Sequence, residues 1–401
     1  MSHLRTYALW YGGALGLLAI ALFPILSPES LSEPFFKDVP SRFLARAVFI
    51  VLPGAAAWLM FRNHPASTRE RVVLALAAVV AGAFCEQLHH QFVDKGNYFG
   101  GPTNNSIWQR QLQNQVIALD PLAIPHSYRF LAHSYLAWFE WLSGHFEFAR
   151  ATFRILCNAL LFSAILRLGR LYLTLPGSLL LVAFTAMVYP VTIAWYGGQP
   201  IDPLSHLSFI ACVYFLARGF EPGIGPSLLL GVLAKESVAA VAVCRAFWGP
   251  NRLRAAILAL VYLAASIGVL AWVRLFVNRG NFAYERISGV GTDHLWANLK
   301  GWHEWIPQYG CTLGVVLPGA ILGWKLMSRS FQGTTLLLTA ALVVSSALFS
   351  WLNEVRNLMP ALVLLLIINV RYLEHRYFRP DTGKTDGPSG AFTRSHAKRQ
   401  G

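Results

Sequence analysis

Four groups of charged residues stand in otherwise apolar sequence, where a charge is costly and needs a function or a partner. Glu86 ends one apolar run and is followed by His89, His90 and Asp94. Asp202 opens another, after Gly197, Gly198, Gln199 and Pro200. Lys235 and Glu236 interrupt a third near its middle, and Glu354 and Arg356 occupy a very short stretch between the last two. A carboxylate in such a place can take the proton of a hydroxyl nucleophile. A guanidinium can hold an oxyanion through two parallel hydrogen bonds. For each group the alternative is a charge that snorkels or pairs internally.

Other chemistries lack their signatures. Seven His fall in or beside the long polar stretches (89, 90, 126, 133, 145, 294 and 303), but no H-E-x-x-H or other compact ligand spacing joins them. The five Cys stand singly, with no C-x-x-C pair. There is no phosphate-binding loop, dinucleotide fingerprint or nucleophile elbow. The sequence therefore names no cofactor, and leaves a divalent cation open.

The elements that must position these residues follow from composition. The chain has 401 residues, 55% apolar and 13% charged, and a positive mean hydropathy of +0.47. A soluble domain carries about a quarter charged residues. Such a composition excludes a disulfide scaffold, a disordered chain and an ordinary cytosolic enzyme, and leaves a chain whose main solvent is lipid. The net charge of +14 would suggest nucleic acid in a soluble protein. Here its distribution matters more, and the partner implied is the bilayer, with no nucleic acid.

Runs long enough for a membrane helix occupy 7–26, 44–61, 72–85, 150–166, 172–191, 204–216, 255–273, 311–324, 334–350 and 358–370. With the N-terminus inside, the inner connections hold roughly twice as many Lys and Arg as the outer ones, as the positive-inside rule requires. A full crossing at 228–248 would invert every later loop. A re-entrant hairpin, or two half-helices meeting at Lys235-Glu236, keeps the rule intact; the alternative is eleven spans. The expected fold class is therefore all-α: a polytopic membrane helix bundle of about ten spans plus one re-entrant hairpin. Both termini are cytoplasmic, and 86–149 and 274–310 form the outer loops. Within the first, 128–143 reads as an interfacial helix with Leu131, Tyr135, Trp138 and Leu142 on one face. The organisation expected is two N-terminal spans (1–71), the main bundle (72–370) and a basic, disordered cytoplasmic tail (371–401).

Four pieces of this sequence resemble the GT-C class of integral-membrane glycosyltransferases. They are the acidic exit from Glu86 to Asp94; Asp120-Pro121 through Pro125-His126-Ser127-Tyr128-Arg129-Phe130-Leu131, with Gly144 and Arg150 beyond; Gly231-Val232-Leu233-Ala234-Lys235-Glu236-Ser237; and Glu354-Val355-Arg356-Asn357-Leu358-Met359-Pro360. They cover about residues 72–370 in the family's order. The resemblance implies a bacterial inner-membrane enzyme that moves a sugar, with inversion, from a polyprenyl-phosphate donor to an acceptor on the non-cytoplasmic face. It implies Glu86 as the general base, with Asp94 as second choice. Substrate binding would fall to His126, Arg129, Arg150, Asp202, Lys235, Glu236, Glu354 and Arg356, with Arg129, Arg150 and Arg356 at the leaving phosphate. The rival readings are a transporter or flippase of a lipid-linked or anionic solute, and a catalytically silent membrane scaffold.

Overall fold

The computed structural model describes residues 2–91, 102–120, 126–193, 201–277, 292–350, 352 and 354–378. In chain order the helices are α1 (Ser2–Leu26), α2 (Val39–Phe61), α3 (Thr68–His89), α4 (Pro102–Ile117), α5 (Phe130–Ser143), α6 (Phe146–Gly169), α7 (Leu175–Ile193) and α8 (Ile201–Arg218). They continue with α9 (Glu221–Ala234), α10 (Ala240–Cys244), α11 (Arg252–Trp272), α12 (Thr292–Lys300), α13 (Trp302–Gly323), α14 (Arg329–Phe349) and α15 (Met359–Leu373). No strand occurs among the described residues. The chain is an all-α, multi-pass membrane bundle.

Each of the ten expected spans is occupied by a helix, and among the described residues eight helices are long and apolar enough to cross a bilayer. The apolar stretches Leu175–Tyr189 in α7 and Glu221–Ala234 in α9 are shorter. Burial separates the bundle into a centre and a rim. The apolar window is 72% buried in α6 and 78% buried in the α15 region, but 17% in α1, α2 and α11. The rim helices turn Leu9, Ile50 and Leu260 outward, each more than half exposed, a surface that only lipid accommodates at this scale. Where α3 meets α6, a Cβ on Gly82 would lie 2.9 Å from the Ala159 backbone nitrogen. The small residue lets these two helices approach closely, a recurrent device of membrane helix pairs.

The segment after α8 folds back on itself. α9 rises alongside α8 and ends at Lys235, whose extended backbone (φ −162°, ψ 129°) breaks the helix. A 3₁₀ turn (Glu236–Ala239), α10 and a second short turn (Arg245–Phe247) bring the chain back. The feet of this hairpin are tied by Arg245 Nε donating to Glu221 Oε1 at 2.9 Å. Gly231 makes the fold-back geometrically allowed. A Cβ there would lie 2.6 Å from Val238 on the returning arm and 2.7 Å from Ser208 on α8. The break expected at Lys235-Glu236 is thus present, and its ascending arm begins earlier than the sequence suggested, at Glu221.

The hairpin tip, the C-terminal ends of α11 and α14 and the N-terminal ends of α8 and α15 gather at one end of the bundle. At the opposite end Trp10 of α1 packs edge-on against Phe215 and Phe220, and Arg170 pairs with Glu70 at 2.9 Å. Glu374, just past α15, accepts from the Thr174 backbone N–H at 3.0 Å. The start of α1 and the end of α15 therefore share an end. α5 carries Tyr135 and Trp138 on one face as expected, but these side chains donate to the α1 carbonyls of Leu17 (3.0 Å) and Ile20 (2.7 Å). They fasten α5 to α1.

Candidate functional site

A cavity of about 310 Å³ opens between the hairpin tip, α11, α14 and the turn before α15. Its ionic groups are Arg129, Lys235, Glu236, Arg274, Glu354 and Arg356, and Ser237, Ser345, Ser346, Ser350 and Asn357 add polar side chains. Four elements far apart in sequence deliver the charges. Arg129 closes the 3₁₀ turn before α5, and Lys235-Glu236 form the helix break. Arg274 lies in a π-helical turn (Val273–Val277) that extends α11. Such turns occur often at functional sites. Glu354 and Arg356 belong to the short turn between α14 and α15.

Asp202, at the start of α8 and 2% exposed, anchors the cluster from behind. Its two oxygens are shared between Arg356 Nη1 (2.9 Å) and Lys235 Nζ (3.4 Å). Lys235 also donates to Asn357 Oδ1 at 2.6 Å. Arg356 reaches Glu354 Oε2 at 3.3 Å, and the same oxygen accepts from the Ser350 hydroxyl (2.8 Å) and the Asn357 amide (3.1 Å). Burial acts to raise the Glu354 carboxyl, but Arg356, the Ser350 hydroxyl and Lys235 outweigh it and hold the group below its ordinary pKa. Across the cavity Arg129 Nε donates to Glu236 Oε2 at 2.9 Å, while Glu236 Oε1 has no hydrogen-bond partner among the described residues.

Matching charges leaves one cation over. Arg129 pairs with Glu236, and Lys235 and Arg356 with Asp202 and Glu354. Arg274 forms no salt bridge among the described residues, although it lies within electrostatic reach of Glu236. Its guanidinium lies 5.0 Å above the centre of the Tyr128 ring, and its Nε is buried with no hydrogen-bond partner among those residues. A half-buried cation held by an aromatic face, in a cluster whose described cations outnumber its carboxylates by one, suits an anionic ligand.

Of the residues singled out in the sequence, Arg129, Lys235, Glu236, Glu354 and Arg356 line this cavity, and Asp202 bonds two of them. Glu86 is elsewhere. It receives two hydrogen bonds from Arg154 of α6, Nε to Oε2 at 2.8 Å and Nη2 to Oε1 at 2.6 Å, in the buried contact of α3 with α6. Arg150 bonds Gln109 of α4 (3.1 Å) and Glu147 (2.8 Å) and does not line the cavity. Asp94 and the His126 side chain lie outside the described residues. Sequence reasoning missed Arg274 and Arg154. Both carried a signal: Arg274 is a basic residue at the outer end of a span, against the charge bias, and Arg154 is a charge inside one. No three His, Cys, Asp or Glu converge as a metal ligand set among the described residues.

Beside the hairpin, Leu9, Trp10, Gly13, Ala14 and Leu17 of α1 face Pro226, Ser227 and Leu230 of α9 across an apolar groove of about 440 Å³. Leu230 precedes Lys235 by five residues, about 7 Å of helix rise. An apolar groove thus runs along the helix whose broken end carries the ionic cluster. Compared with known protein families, curated proteins and solved structures, the chain matches none.

Proposed function

We propose that this protein is a membrane glycosyltransferase that moves a sugar from a polyprenyl-phosphate donor to an acceptor hydroxyl on the non-cytoplasmic face. The observation that carries the reading is convergence. Tyr128-Arg129, Lys235-Glu236 and Glu354/Arg356 come from three separate sequence motifs and meet around one cavity with an unbalanced arginine. In this reading Arg274 and Arg356 bind the donor phosphate, Arg129 and Lys235 add positive potential, and the prenyl tail lies in the groove between α1 and α9. The cavity end faces away from the cytosol and both termini face it, because Lys and Arg favour the opposite end. The bacterial inner membrane is the setting that the family resemblance implies.

The acceptor oxygen attacks the anomeric carbon as the bond from that carbon to the phosphate oxygen breaks. The bonding pair leaves with the phosphate, whose growing charge the fixed cations stabilise. The acceptor proton passes to a carboxylate. Two carboxylates fit that role. Glu236 lines the cavity with one unengaged oxygen, and Asp94 follows α3 closely in the chain. Glu86 is committed to Arg154.

The test is transfer of labelled sugar from a polyprenyl-phosphate donor by the protein in proteoliposomes. We expect turnover in the native protein and a loss of about 10²–10⁴-fold in either Glu236→Gln or Asp94→Asn. Saturable donor binding with no transfer to any acceptor would replace the enzyme reading with a carrier.

A further inference from the structure

A second cavity lies at the same end of the bundle and shares no residue with the ionic one. It has a volume of about 390 Å³ and forms between the α1–α2 connection, α4 and α5. We propose that it binds a neutral saccharide.

Charge argues first. The ionic groups that line it, Arg110 and Glu140, neutralise each other at 2.9 Å. The second Glu140 oxygen accepts from the Gln113 amide at 2.8 Å. Both carboxylate oxygens are engaged, so among the described residues the site offers an anion or a cation no unbalanced partner. It does offer hydrogen bonding. Asn114, exposed, and Trp141, half-buried, both line the cavity. Gln113, 2% exposed, keeps its Oε1 without a partner among them. A buried polar atom left unsatisfied at a formed pocket calls for a ligand or an ordered water.

Shape argues second. Trp141 is fixed by Phe35 (ring centres 4.6 Å apart) and by the edge of Trp138 (5.1 Å), and its backbone carbonyl accepts from the Phe35 N–H at 3.0 Å. A rigid indole wall beside amides and a planar ion pair matches a pyranose. Its C–H face stacks on an aromatic ring, and its vicinal hydroxyls both donate and accept, as an amide does. Pockets of this size with a few placed polar groups are ordinary small-molecule sites. The proposal concerns binding only and stands whether or not the ionic cavity transfers sugar. If it does, this is the acceptor's subsite.

The test is saturation-transfer NMR on the protein in phosphatidylcholine nanodiscs with four neutral probes: maltotriose, cellotriose, mannotriose and chitotriose. We expect saturation transfer to at least one. Asn114→Ala, an exposed position that leaves packing intact, should weaken that binding about tenfold, and Trp141→Ala should abolish it. Arg254→Ala, exposed at the start of α11 and lining neither cavity, should leave it unchanged. No transfer to any of the four probes, or transfer in Asn114→Ala and Trp141→Ala equal to that in the native protein, would overturn the proposal and leave ordered water as the occupant.

Discussion

Replacing Asp202 with Asn is expected to destabilise the bundle by about 3–5 kcal/mol, the typical result of removing one partner from a buried ionic cluster. The Asp202 side chain is 3% exposed, that of Arg356 5% and that of Lys235 12%. Without the carboxylate, two cations face each other in a setting that water reaches poorly, and Glu354 alone remains to balance them. Lys235→Met should cost much less, because Asp202 keeps Arg356. Combining Lys235→Met with Asp202→Asn should recover part of the loss, since one surplus cation goes with the carboxylate. Thermal unfolding in detergent, followed by the loss of monodisperse protein, reads all three. An unchanged midpoint in Asp202→Asn would mean that the cluster is hydrated and weakly coupled, and would remove the rigid frame on which Arg356 depends.

The second large effect is at Glu86. Glu86→Ala removes the carboxylate that accepts two hydrogen bonds from Arg154, 2% exposed, in the contact between α3 and α6, and about 3–5 kcal/mol should again be lost. Glu86→Leu together with Arg154→Met replaces the pair by apolar groups of similar bulk, and should restore stability to near the native value. The double variant also separates two roles for Glu86. A structural partner of Arg154 can be replaced as a pair with sugar transfer per folded molecule kept within about tenfold, whereas loss of a general base costs about 10²–10⁴. Transfer abolished in a well-folded double variant would return Glu86 to the chemistry.

Much of the architecture was legible because lipid imposes length and composition on each crossing. The helix that blurred was α9, which is short and packed by protein, so its sequence answers to neighbours more than to lipid. The break at Lys235-Glu236 could be read from the cost of two charges in an apolar run and from the charge bias of the later loops. The need for glycine at 231 could not, because it arises from Val238 and Ser208 closing on one point. The site was half legible. The motif residues were visible as charges out of place, but which charge meets which is a matter of contacts across long separations. Asp202 and Arg356 are 154 positions apart, and Glu86 and Arg154 are 68 apart. Nothing local links them, and so Glu86 looked like a free acid at the mouth of the bundle.

The most direct test of a lipid-phosphate site is a titration of undecaprenyl phosphate, a polyprenyl monophosphate, into the protein in nanodiscs, with native Arg274 and with Arg274→Ala. Arg274 is the cation of the cavity that forms no salt bridge among the described residues, so its removal should leave thermal stability nearly unchanged. Losing a charge-assisted contact to phosphate should weaken binding by about ten- to a hundredfold. Undecaprenol, which has the tail without the phosphate, should bind the native protein no better than undecaprenyl phosphate binds Arg274→Ala. Equal affinity of native protein and Arg274→Ala for undecaprenyl phosphate, or undecaprenol binding as tightly as its phosphate, would contradict the assignment of this cavity to a lipid-borne phosphate.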